Sequence, residues 1–141
     1  MAFAPDITIN GVDIDTLGNE EIPETRTYAV DWRHGRIGGE ISGIEALHQY
    51  IYKTLKTECN KYLIYDARYG SGIKCMVHQG VVSRAYIESD IPRLVKKALT
   101  DKRITNIHSF EFSYPEDERD AVNISFICDT IYGELQEEVD I

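Results

Sequence analysis

Two carboxylates, Glu58 and Asp66, flank the run Tyr62–Tyr65. Such a pair can hydrolyse a glycoside when one member keeps its proton near neutral pH. Neither has a neighbour in its local motif that would move its pKa away from the other's, and the chain holds 24 acids, so some pair of acids falls near some cleft in any case. We therefore assign no catalytic residue. Cys75 and His78 have the C-x-x-H spacing of half a zinc site, but no second pair follows at the required distance. Cys59, Cys128 and His108 are scattered, so no metal site is expected. Gly70-Ser71-Gly72 would cradle phosphate if a helix opened directly after it, whereas Ile73 to Val77 reads as extended and lacks the Lys-Ser/Thr pair of a P-loop. No cofactor is expected; the glycines mark a tight turn. What remains in this loop is Arg68 and Tyr69, residue types enriched at protein–protein hot spots.

The elements that must carry this loop can be read from periodicity. Tyr28, Val30 and Trp32 alternate with Thr27, Ala29 and Asp31, and Ile37 and Ile41 follow a His34-Gly35 turn, which predicts a hairpin. Gly38-Gly39 predicts a bulge or a close backbone approach in its second strand. Ser42 and Glu45 have capping-box spacing, and Ile44, Leu47, Ile51 and Leu55 form one apolar helical stripe flanked by His48. Tyr62–Tyr65 reads as a short central strand emptying into the surface loop 66–72. Ile87, Ile91, Leu94 and Ala98 predict a second helix, with a kink or a fresh start near Ser89-Asp90 because of Pro92. His108, Phe110, Phe112 and Tyr114 predict one closing strand, and Val122, Ile124, Phe126, Cys128 and Tyr132 another. The fold class is α+β: a small mixed or antiparallel sheet of about five strands with two helices on one face. The order is β-hairpin, helix, short strand, helix, β-hairpin.

Charge divides the chain. Residues 1–24 carry six acids and no Lys or Arg, and residues 134–141 carry four more, leaving 14 acids against 15 bases in residues 25–133. The net charge of −9 belongs to the two ends. We divide the chain into an acidic N-terminal arm (1–24), an α+β domain (25–135) and an acidic C-terminal tail (136–141). A duplex-binding face needs clustered Lys and Arg, so nucleic acid is not an expected partner. No apolar run approaches the length of a membrane span, and "MAFAPDITIN" lacks the features of a signal peptide. Three scattered cysteines suit a reducing compartment.

The segments "RTYAVDW…GRIGGEISGIEALHQYIYKTLKTE", "YLIYDARYG", "PRLVKKALTDKRI" and "FEF…NISFICDTIYGEL" together resemble the XkdS-like proteins of PBSX-type prophages. These are relatives of the phage T4 gene 25-like baseplate wedge proteins, and the resemblance runs over residues 25–135. It implies a non-enzymatic part of a contractile tail, packed in the baseplate wedge around the tube and seeding the sheath by sharing β-strands with its first ring. The implied partners are other wedge proteins, tube and sheath subunits, with several copies around a ring, assembled in the host cytoplasm and then carried in the virion. The T4-like relatives have a Glu-Pro-Arg signature after the first long helix; here the place reads Glu58-Cys59-Asn60, so only the glutamate carries over. The expected interface residues are Glu58, Cys59, Asn60, Arg68, Tyr69, Ile127, Ile131, Tyr132 and Gly133. The last four belong to "ISFICDTIYGEL", read as an exposed assembly edge. The competing functions are a small cell-wall hydrolase using Glu58 and Asp66, and a free-standing regulatory binding module.

Overall fold

The computed structural model describes residues 8–9, 12–13, 22, 25–79, 83–118 and 120–141. Most of the expected N-terminal arm lies outside these residues; within it, β1 (Thr8–Ile9) pairs antiparallel with β2 (Val12–Asp13). The elements that follow are β3 (Arg26–Asp31), β4 (Arg36–Ser42), α1 (Gly43–Lys56), α2 (Ile73–His78), α3 (Arg84–Ala98), β5 (Ile104–Ser113), β6 (Asn123–Thr130) and β7 (Gly133–Asp140). The α+β class and the sequence of hairpin, helix, helix, hairpin stand. The strands form three separate antiparallel sheets, β1-β2, β3-β4 and β5-β6-β7, where one sheet of about five strands was expected.

The core lies between the three-stranded sheet and the helices. Leu47, Ile51 and Leu55 of α1, Ile91 and Val95 of α3, Ile73 of α2 and Ile124, Phe126 and Cys128 of β6 are all buried in one cluster. α1 packs on β7 and α3 on β5. The stripe on α1 forms as its spacing predicts, although Ser42 makes no side-chain cap. α3 starts at an Ser83 cap, whose hydroxyl accepts from the Tyr86 N–H, and runs unbroken through Pro92. No fresh start occurs at Ser89-Asp90. A mid-helix proline costs about 3 kcal/mol, but Ile91, Val95 and Leu99 are all buried around it. At about 1.5–3 kcal/mol for each buried aliphatic, burial outweighs the proline.

The remaining differences have local causes. Tyr62–Tyr65 is a turn, closed by the Tyr65 N–H on the Tyr62 carbonyl, and not a strand. The extended pairing at this place is a single parallel bridge between Glu58 and Ser71, which closes the loop at its base. Ile73 to Val77 is helical rather than extended, because Ile73 and Val77, four apart, both face the core. In β5 a register shift between His108 and Glu111, with Ser109 at φ 59°, resets the alternation. Ile107 thereby takes the buried position expected of His108. β6 is the central strand of its sheet, so it presents no free edge, and the acids expected to form a tail belong to the edge strand β7. Within β7, Glu137 and Val139 are fully buried.

The β3-β4 hairpin stands off from the main sheet. Tyr28 is 62% exposed, Trp32 53% and Ile37 77%, against an expected half-buried face. The register moves from Tyr28↔Glu40 to Val30↔Ile37, so Gly38 and Gly39 together oppose Ala29. This is the bulge that the glycine pair predicts, and it breaks the alternation. No helix among the described residues is long and apolar enough to cross a membrane.

Candidate functional site

The loop between α1 and α2 is held at its base and displayed at its tip. At the base, the Ser71 N–H donates to the Thr57 carbonyl (2.8 Å), the Cys59 N–H to the Ser71 carbonyl (3.1 Å), and the buried Ser71 hydroxyl to the Leu55 carbonyl (2.7 Å). The Cys59 thiol reaches the Ala67 carbonyl at 3.1 Å, and Asn60 takes a left-handed φ of 61°. Gly70 sits at φ +94°, where an added Cβ would fall 2.7 Å from the Thr57 carbonyl oxygen. Gly70→Ala is therefore expected to lose about 1–3 kcal/mol of stability, read from a thermal melt. At the tip, Leu63 and Ile64 are fully or almost fully exposed. Tyr65 stacks near Tyr69 with ring centres 4.7 Å apart.

The two carboxylates once paired for hydrolysis have separate jobs. Glu58 forms an ion pair with Lys61, which holds its carboxyl below the usual range by hydrogen bonding. One oxygen of Asp66 accepts from the Arg68 N–H at 3.0 Å, an Asx turn that fixes the loop. Among the described residues no group of three or more His, Cys, Asp or Glu could hold a metal ion.

Cys59, Asn60, Arg68 and Tyr69 line one open groove of about 970 Å³ between this loop and the helices α2 and α3. Glu58 is not among its lining residues. Met76, Leu94, Ala98 and Lys97 complete it from the helix side; Leu94 and Ala98 read in the sequence only as part of a helical stripe, and nothing there points any of the four to this groove. The other four expected interface residues are elsewhere. Ile127 is half-buried on the outer face of β6, while the exposed Ile131 and Tyr132 form the turn from β6 to β7 and the exposed Gly133 opens β7. That turn is fastened: Ile131 N–H donates to the Arg103 carbonyl, and Tyr132 Oη lies 3.3 Å from Thr25 Oγ1. Arg103 binds Asp101 in a fork (2.8 and 2.7 Å) and donates to Thr25 Oγ1 at 2.7 Å, tying the hairpin's base to the main sheet.

One side chain alters the hairpin's edges. The Gln49 amide of α1 donates to the Tyr28 carbonyl and accepts from the Val30 N–H, both at 2.9 Å. It thus occupies the outer edge of β3 as a neighbouring strand would. Among the described residues, the other edge of the hairpin, along β4, pairs with no strand.

A model of the contractile injection system sheath initiator family matches residues 26–133, from the first residue of β3 to the first residue of β7. The chain belongs to this family. As a sheath initiator it is a structural component of a contractile injection system. It is 34% identical over 140 residues to "Phage-like element PBSX protein XkdS" of Bacillus subtilis (strain 168), a match covering 98% of this sheath initiator and 95% of the relative. The matched family region contains both the hairpin with its Gln49 closure and the groove-forming loop of this sheath initiator.

Proposed function

We propose that the chain sits in a tail baseplate and starts the sheath by accepting a partner strand along β4. The observation that carries this reading is the asymmetric hairpin: Gln49 closes β3, and among the described residues no strand pairs with the outer edge of β4. Because the Tyr28 carbonyl turns outward to Gln49, its cross-strand partner Glu40 turns its own N–H and C=O to the open side. Each main-chain bond gained there contributes about 0.5–1.5 kcal/mol net. Exposed Tyr28 and Ile37 would add apolar contact for the incoming side chains. The partners would be sheath subunits at this edge, with wedge and tube proteins on other faces and several copies around the ring. Assembly would take place in the host cytoplasm, and the finished baseplate would carry the protein in the virion.

This role is non-enzymatic. A general acid needs a carboxyl raised toward the working pH, and Glu58 is displaced in the opposite direction. Peptidoglycan incubated with the pure protein is expected to stay intact, and Glu58→Gln to change nothing; hydrolysis lost in that variant would restore the hydrolase reading.

Glu40→Pro tests the strand acceptor. Proline removes the outward N–H but no bond of the hairpin itself, a placement that edge strands tolerate. The ion pair of Glu40 with Arg26 is exposed and 3.7 Å long, so its loss matters little. Particles carrying Glu40→Pro are expected to have baseplates and tubes without sheath, and Glu40→Ala particles to have normal sheath. Sheath of normal length on baseplates that contain the proline variant would rule out β4 as the acceptor edge.

A further inference from the structure

We propose that the groove between the 59–72 loop and helices α2 and α3 is a docking site for an acidic, aliphatic-bearing peptide segment of a partner protein, separate from the β4 edge. Its volume of about 970 Å³ is at the upper end of the range for pockets that bury a ligand. It has an apolar floor in Met76, Leu94 and Ala98, all partly buried. Asn60, Ser71, Gln79 and Thr100 add neutral polar groups, and its charged side chains are Asp66 and one cation on each wall, Arg68 on the loop and Lys97 on α3.

Charge complementarity selects the occupant. Neither guanidinium nor ammonium makes an ion pair or hydrogen bond among the described residues, in contrast to Lys61, Arg93 and Arg103, each held by a carboxylate. The one acid in the lining, Asp66, is already engaged by the Arg68 backbone N–H. A segment that supplies carboxylates to the two walls and aliphatic side chains to the floor satisfies both features at once. The loop would not have to rearrange, because its base is fixed by Ser71, Cys59 and Gly70. Binding should therefore carry little ordering cost on this side.

The protein contains its own reporter. Cys75 lines the groove and is exposed, with only a long contact from Gln79 (3.6 Å) on its sulfur. Cys128 is buried, and burial pushes its thiol up to about 12, so it stays silent toward a maleimide. The experiment labels the full chain with maleimide and reads the Cys75 peptide by mass after digestion, apart from Cys59, which is partly buried and also lines the groove. The ligand is a synthetic peptide of about ten residues that alternates Asp or Glu with Leu or Ile. The control peptide has Lys in place of every acid. At about ten times its Kd the acidic peptide is expected to slow Cys75 labelling about tenfold by mass action. Protection should weaken at about 0.5 M salt and vanish in an Arg68→Glu, Lys97→Glu double variant that melts like the parent. Four outcomes would overturn the proposal: no slowing by the acidic peptide, equal slowing by the lysine peptide, undiminished slowing in the double variant, or protection that rises with protein concentration alone and marks a second copy as the occupant.

Discussion

A chain that stops at Gly133 is expected to lose its cooperative thermal transition altogether. The missing residues look dispensable in composition, four acids in a short polar end, but they form the strand β7. β7 pairs with β6 along its whole length, from Asn123↔Asp140 to Thr130↔Gly133. Val122 and Ile141 then exchange two backbone bonds of 2.9 and 3.0 Å. Each ladder bond contributes about 0.5–1.5 kcal/mol net, and Val139, fully buried, about 1.5–3 kcal/mol. Their joint loss is comparable to the whole stability of a domain of this size, about 5–15 kcal/mol. Phe126 and Ile124 would also face water on the side β7 had covered. Circular dichroism of the truncated chain should show no sigmoidal melt; a transition within a few degrees of the parent's would show β7 to be an accessory. A sheathless phenotype after such a truncation would report on folding, so assembly is better tested through Glu40.

The second large effect concerns a carboxylate buried by that strand. Glu137 is fully buried, and its Oε1 lies 2.7 Å from His48 Nδ1 on α1, while Oε2 has no hydrogen-bond partner. Removing the partner by His48→Ala leaves a buried acid with nothing to bond, at an expected cost of about 2–3 kcal/mol. Replacing the acid itself, Glu137→Leu, is expected to be neutral or to stabilise by up to about 4 kcal/mol, because buried ion pairs seldom recover their desolvation. The asymmetry is the test: denaturant melts in which Glu137→Leu loses as much as His48→Ala would mean that the pair is net stabilising. Burial pushes the Glu137 carboxyl above its ordinary 4.5, and the His48 contact only partly opposes this. A raised folded-state pKa gives stability that is fully present below the unfolded value and is lost as pH rises through the folded one. The advantage of Glu137→Leu over the parent should therefore be small at about pH 4 and grow toward neutrality.

Much of this architecture is legible in the sequence wherever a long stripe meets one large surface. Leu47, Ile51 and Leu55 announce α1, and Ile124, Phe126 and Cys128 announce β6, because each set faces the same core along its whole length. Tyr62 to Tyr65 misleads because aromatic and β-branched residues favour strands only when a neighbouring strand is available. Here the Glu58–Ser71 bridge closes the loop beneath them and leaves the four side chains outside. β7 is masked by charge, although Leu135, Val139 and Ile141 keep the period of two that marks a strand. Glu137 occupies the inward position between them, where an apolar residue would have made the pattern plain. Of the groove, Cys59, Asn60, Arg68 and Tyr69 could be chosen from one loop. Met76, Leu94 and Lys97 could not, since they are brought there by packing of α2 on α3. Gln49 carries no local signature at all; its role appears only once the hairpin lies beside α1.

The Gln49 amide gives the hairpin a polarity. A two-stranded ribbon open on both sides could be inserted anywhere in a growing stack, joined above and below by identical contacts. With the β3 side occupied by a side chain of the same molecule, the ribbon can be lengthened in one direction only. If the sheath is joined along β4 as proposed, growth from such a unit would be vectorial: it could stand at the end of a row of strands and not in the middle of one. That is the geometric difference between a first subunit and all those that follow it.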